Sequence, residues 1–182
     1  MVILFGCADG PFDPSIVNPS IQGITATDET GAIVGPRDRF DWQVADGPTS
    51  LPVDRSDPIG WQPASGAIGP AGKVIPSHIT VRPGFPNPTE GQFAIVHEVP
   101  APCLIYTWVL DSRMNTVWRE RLTAADGGNW AVFLDFADGR QTFRKGIYRV
   151  VYEYDFGKDR LHGYGDVLYT DLNEQRSDTR QN

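Results

Sequence analysis

The sequence predicts an all-β protein built on a seven-stranded immunoglobulin-like sandwich, preceded by a β-hairpin and a long Pro/Gly-rich extended segment. Three observations predict it. Nineteen Gly and fifteen Pro against two Met are the composition of a turn-rich β chain. Tyr148, Val150, Tyr152 and Tyr154 alternate with Arg149 and Glu153, the period of two that a strand requires. Turn signals at residues 111–115, 126–129 and 138–140 separate short apolar runs at the spacing of a sandwich.

Residues 1–7, Met-Val-Ile-Leu-Phe-Gly-Cys, end in Leu4-Phe5-Gly6-Cys7, which resembles the lipobox of bacterial lipoproteins. That resemblance implies lipidation of Cys7 and reads residues 1–7 as the remnant of a signal. Residues 8–47 then comprise a polar tether and a hairpin. The hairpin pairs the run from Ile21 to Thr27 with Ala32-Ile33-Val34 across Asp28-Glu29-Thr30-Gly31. An isolated hairpin is marginal in water, so it needs something to dock on.

Residues 48–76 form a Pro-rich extended strap. Nine of the fifteen prolines fall between Pro48 and Pro88, a density that forbids helix and central strand. The same stretch carries Leu51, Val53, Ile59, Trp61, Ile68, Val74 and Ile75, which a free linker has no use for. The strap is therefore expected to lie on a surface.

Residues 77–171 hold the sandwich, with strands expected at 77–82, 91–99, 103–111, 115–122, 129–136, 146–155 and 163–170. Trp130, Phe133, Tyr148 and Tyr152 are expected in its core. The run from Cys103 to Leu110 is apolar on both faces, so it must be covered twice. One cover is the opposing sheet; the other is the strap or a partner, with Trp61, Trp108 and Tyr106 as partner-binding anchors. The polar tail, residues 172–182, ends in ten residues without an apolar side chain.

The order Phe85-Pro86-Asn87-Pro88, an apolar strand, Val109-Leu110-Asp111, Asp135-Phe136-Ala137-Asp138-Gly139-Arg140 and Gly146-Ile147-Tyr148-Arg149 resembles the FlgD-type immunoglobulin-like module. A related module serves as the C-terminal sorting domain of type IX secretion. The resemblance implies an exported bacterial protein and a sandwich over about residues 77 to 171.

Chemistry is sparsely signalled. His78, His97 and His162 stand 19 and 65 residues apart, without the local spacing of a metal site. The turns at 126–129 and 135–139 lack the ligand spacing of a calcium loop. Cys103 heads an apolar strand and reads as a buried thiol. No catalytic residue, metal site or cofactor is expected. The net charge of -7 and the scattered basic residues argue against nucleic acid. No stretch reaches the about 20 apolar residues of a membrane-spanning helix. The expectation is thus a non-catalytic, lipid-anchored envelope or cell-surface lipoprotein, an accessory or assembly subunit held to the membrane by its anchor and to another envelope protein by its sandwich. A carbohydrate-binding module and a secretion-sorting domain are the alternatives.

Overall fold

The computed structural model describes residues 23–35, 37–54, 72–137 and 143–170. Within them the chain is all-β apart from one 3-10 turn, Pro76–His78. The strands are β1 (Ala45–Asp46), β2 (Thr80–Phe85), β3 (Gln92–Val99), β4 (Cys103–Leu110), β5 (Thr116–Ala124), β6 (Gly128–Asp135), β7 (Gly146–Asp155) and β8 (Arg160–Tyr169). All pair antiparallel, in one sheet of order β1-β8-β7-β4-β5 and another of order β2-β3-β6. Hairpins join β2 to β3, β4 to β5 and β7 to β8. The other connections after β3, β5 and β6 cross between sheets, which is the Greek-key wiring of an immunoglobulin-like sandwich. The two-residue β1 is an eighth strand added at the β8 edge.

Alternation places the core. Tyr148, Val150, Tyr152 and Tyr154 of β7 point inward, where they meet Phe93 and Ile95 of β3, Cys103, Ile105 and Val109 of β4, and Val132 and Leu134 of β6. A second device marks the fold. The Tyr148 hydroxyl donates to the Arg144 carbonyl at 2.6 Å and accepts from the Arg144 N–H at 2.8 Å. A tyrosine near the start of this strand, tied to backbone a few residues upstream, is the tyrosine corner of immunoglobulin-like domains.

Two expectations need correction. Phe133 is not in the core but 73% exposed, the most exposed large apolar side chain among the described residues. Trp130 and Phe133 are three apart, so in a regular strand they face opposite ways. The ladder points Val132 and Leu134 inward, with Trp130 half-buried beside the core. The first strand of the sandwich, expected at 77–82, does not stop before Pro83 but runs through it to Phe85. β2 is an edge strand, the one place where a missing N–H costs the ladder nothing.

The hairpin before the sandwich reduces to a tight loop. One bridge joins Thr27 to Ile33, and the Asp28 carboxylate accepts N–H bonds from Thr30 and Ala32. Thr27 also bridges Asn87, so the loop docks on the sandwich itself.

Candidate interaction surface

After Ile147, the outward side chains of β7 are Arg149, Val151, Glu153 and Asp155. On a free sheet they would be solvated. All four are buried: the chain before the sandwich doubles back over Val151 and Glu153, while Arg149 pairs with Asp166 and Asp155 with Arg160. The Thr49 N–H donates to Glu153 Oε2 at 3.0 Å. Leu51 packs with Tyr106, Trp108, Leu110 and Val151 in a second apolar cluster, flanked by Val53. Asp54 closes the crossing. Its carbonyl accepts from Trp108 Nε1 at 3.2 Å, its N–H donates to Thr116 Oγ1 at 3.1 Å, and its carboxylate meets Arg119 at 2.8 Å.

This answers what covers the doubly apolar strand. Residues 49–54 of the chain cover β4, and Trp108 is 0% exposed. Tyr106 is buried beside it. A partner reaches either residue only by displacing that segment. Cys7 and Trp61 lie outside the described residues, as do residues 55–71 of the strap, the Asp138-Gly139-Arg140 turn and the tail 172–182.

A buried ion pair lies on the outward faces of β7 and β8. Arg149 Nε and one terminal nitrogen reach the two Asp166 oxygens at 2.9 and 2.8 Å, the bidentate geometry that suits a desolvated guanidinium. The guanidinium also stacks over Tyr164. Burial works against the Arg149 charge, but the hydrogen bonds and charge of Asp166 outweigh it and raise its pKa. Asp41 is buried nearby, and burial, with the negative charges of Asp166 and Asp38, pushes its carboxyl up to about 7. Its Oδ2 accepts from the N–H and hydroxyl of Thr25, while Oδ1 has no partner among the described residues.

Next to Asp41, Trp42 enters the core through a gap in β8. Gly163 and Gly165 face inward, and a Cβ on Gly165 would lie 2.2 Å from the Trp42 ring. The indole stacks on Tyr152 and contacts Phe93. Its N–H backbone group donates to the Tyr164 carbonyl at 2.7 Å. Asn87 joins the same region. Its Nδ2 donates to the carbonyls of Thr25 (3.0 Å) and Asp166 (2.8 Å), and its Oδ1 accepts from the Leu168 N–H (3.0 Å).

The histidines are scattered. His97 lies in the core, with Nδ1 2.8 Å from the Tyr154 hydroxyl and Nε2 without a partner among the described residues. Burial holds it neutral, with its pKa lowered to about 3. His78 is exposed at the 3-10 turn. His162 contacts the Gly47 carbonyl at 2.8 Å through Nδ1. Burial, then the charge of Asp155, push the Cys103 thiol up to about 12, which keeps it protonated and unreactive. Among the described residues no three His, Cys, Asp or Glu side chains converge as metal ligands. One cleft, about 230 Å³, opens between the doubled-back chain and β8, with Phe40, Gln43, Thr49, Leu51, His162 and Tyr164 on its walls.

Sequence reading missed Asp41, Trp42, Asn87 and the Arg149–Asp166 pair. The signal for Trp42 was present: two glycines at alternate inward positions of β8 leave space for a large side chain from elsewhere. Nothing local points to Asp41.

No family model matches the chain, and no curated protein matches it. A structure search aligns 53% of this chain with 54% of a DUF3823 family protein from Parabacteroides merdae, at 11% identity and a TM-score of 0.35. The resemblance to the FlgD-type module therefore stands on its motifs alone. In two of them the structure gives the residue a purely architectural task, Asn87 in Pro-Asn-Pro and Tyr148 in Gly-Ile-Tyr.

Proposed function

We propose that this protein is a non-catalytic contact module, a lipid-anchored accessory subunit of an envelope or cell-surface assembly. One observation carries the reading. Among the described residues, several buried polar side chains that a catalytic site could draw on instead hold the chain together: Glu153 on Thr49, Asp166 on Arg149, Asn87 on three backbone groups, and His97 through Nδ1 on Tyr154. Such a molecule offers shape and surface. Its location follows from Cys7, which the lipobox-like tetrapeptide marks for acylation; stable retention then needs more than one acyl chain.

Two measurements test this. A mature N-terminal peptide beginning at acylated Cys7, recovered from the membrane fraction of native cells, supports the anchor; an unmodified peptide spanning Phe5 to Phe12 refutes it. A mild-detergent pull-down from native membranes should capture a stoichiometric envelope partner.

The cleft beside β8 favours a second reading, a carbohydrate-binding module. It combines aromatic rings, Phe40 and Tyr164, with the hydrogen-bonding side chains of Gln43, Thr49 and His162, the mix that orients a sugar ring. Retardation in a glycan affinity gel, lost in Phe40→Ala, together with no captured partner, would put this reading first.

A further inference from the structure

The edge of a β-sheet presents unpaired backbone N–H and C=O groups, and proteins blunt such edges with prolines, charges or short strands. Among the described residues the two sheets have four edges, and three of them are blunted. β2 carries Pro83, and its ladder shifts register between Arg82 and Phe85. β5 presents Arg119-Glu120-Arg121, with Arg119 held by Asp54. The β8 edge is occupied by β1 and by the Trp42 and Gly47 N–H groups, which donate to Tyr164 and Arg160 carbonyls.

β6 is the exception. It pairs with β3 on one side, and no strand among the described residues pairs with the other. Residues 129–134, Asn-Trp-Ala-Val-Phe-Leu, contain neither a charge nor a proline. On the outward face Phe133 sits opposite Ala94 of β3, and Ala131 opposite Val96. The chain covers the outer face of its larger sheet with residues 49–54, whereas here a phenylalanine stands in water.

We propose that β6 pairs antiparallel with β6 of a second copy, about a two-fold axis at Val132, joining two three-stranded sheets into one of six strands. Such an axis must pass through a residue opposite itself, because a half-step would set the inward side chains of one copy against the outward side chains of the other. Centring on Val132 places Ala131 opposite Phe133 of the partner subunit, small against large, and Trp130 opposite Leu134 of the partner subunit. At the ends the Asn129 amide meets Asp135 of the partner subunit, so no two carboxylates are opposed. Centring on Phe133 instead would set Asp135 directly opposite Ala131 of the partner subunit, away from the Asn129 amide. The pattern of charge and size thus matches itself, which favours a second copy over an unrelated strand, and closed two-fold pairing is the commonest homomeric arrangement. The inference is independent of the lipid anchor and of any envelope partner.

Sedimentation velocity on the purified full chain, over a concentration series, should show a monomer passing to twice the monomer mass. Phe133→Glu should weaken that association at least tenfold, because it sets two carboxylates diagonally across the new ladder. Its thermal melt should stay close to wild type, since the side chain is exposed. Register is read by cross-linking in a Cys7→Ser, Cys103→Ser background. A mixture of Ala131→Cys and Phe133→Cys chains should oxidise to a covalent dimer faster than either chain alone. A monomer at every concentration overturns the proposal. So does a dimer that survives Phe133→Glu, a cross-link favouring identical positions, or a β6 edge found paired with a different protein or with another segment of this chain.

Discussion

Replacing Asn87 by alanine should cost the fold more than any surface substitution. The side chain is buried and makes three hydrogen bonds, to the carbonyls of Thr25 and Asp166 and from the Leu168 N–H, so it ties three separate parts of the chain together. Each buried group left without a partner costs about 1 to 3 kcal/mol. The two carbonyls keep a second lone pair and lose least, so the total falls near the lower end, about 3 kcal/mol. For a chain of this size that lowers the melting temperature by about 6 to 12 °C. Differential scanning calorimetry and urea unfolding would measure it. Asn87→Asp is the control: it keeps the acceptor for Leu168 but turns an oxygen toward the two carbonyls. It should be as damaging as alanine at neutral pH and recover in part in acid, where the carboxyl proton donates again. An Asn87→Ala melt within about 2 °C of wild type would refute the reasoning, because it would mean that solvent replaces all three bonds.

Other outcomes follow from the same packing. Asp41, raised to about 7 by burial and by Asp166 and Asp38, favours the protonated form in the fold, so its contribution to stability is present in acid and is lost as pH rises from 3.8 toward 7. His97, lowered to about 3 by burial, acts the other way and removes stability as pH falls from 6.5 toward 3. Urea unfolding against pH should therefore show Asp41→Asn losing stability more steeply than wild type on acidification; parallel profiles would dismiss the Asp41 assignment. Tyr148→Phe should cost about 1 to 2 kcal/mol for the corner hydroxyl, and Tyr148→Ala about 3 to 5 kcal/mol, read by thermal melts. Trp108→Ala should lose about 3 to 5 kcal/mol of folding stability in the isolated chain, since residues 49–54 bury it; an unchanged melt with weakened partner capture would show instead that the indole serves an interface.

Much of the sandwich was legible because strands alternate. All seven expected strands of the sandwich appear, with ends displaced by a few residues. The double cover of β4 was legible too, from two apolar faces in one eight-residue run. Which segment provides that cover was not, because the contact between Leu51 and Trp108 spans the chain and neither residue's neighbours specify it. β6 misled for a physical reason: Trp130 and Phe133 are both large and apolar, but a period of two admits only one of them to each face. Asp41 and Asp166 look like ordinary surface carboxylates in the sequence. Their burial is a property of the doubled-back segment, which no local pattern announces.

That doubled-back segment also has a kinetic consequence. Thr49 contacts Glu153 across 104 residues, Gln43 contacts Tyr152 across 109, and Gly47 contacts His162 across 115. Contacts so distant along the chain form late and slow the search for the native state. During synthesis, residues 38–54 emerge first and have no sheet to lie on until β7 and β8 have followed. Until then Trp42 has no gap to enter and the outer side of β4 is bare. The segment from 38 to 54 thus cannot settle until β7 and β8 have been made, and a product cut short before β8 would be left with its apolar strand uncovered and prone to aggregate.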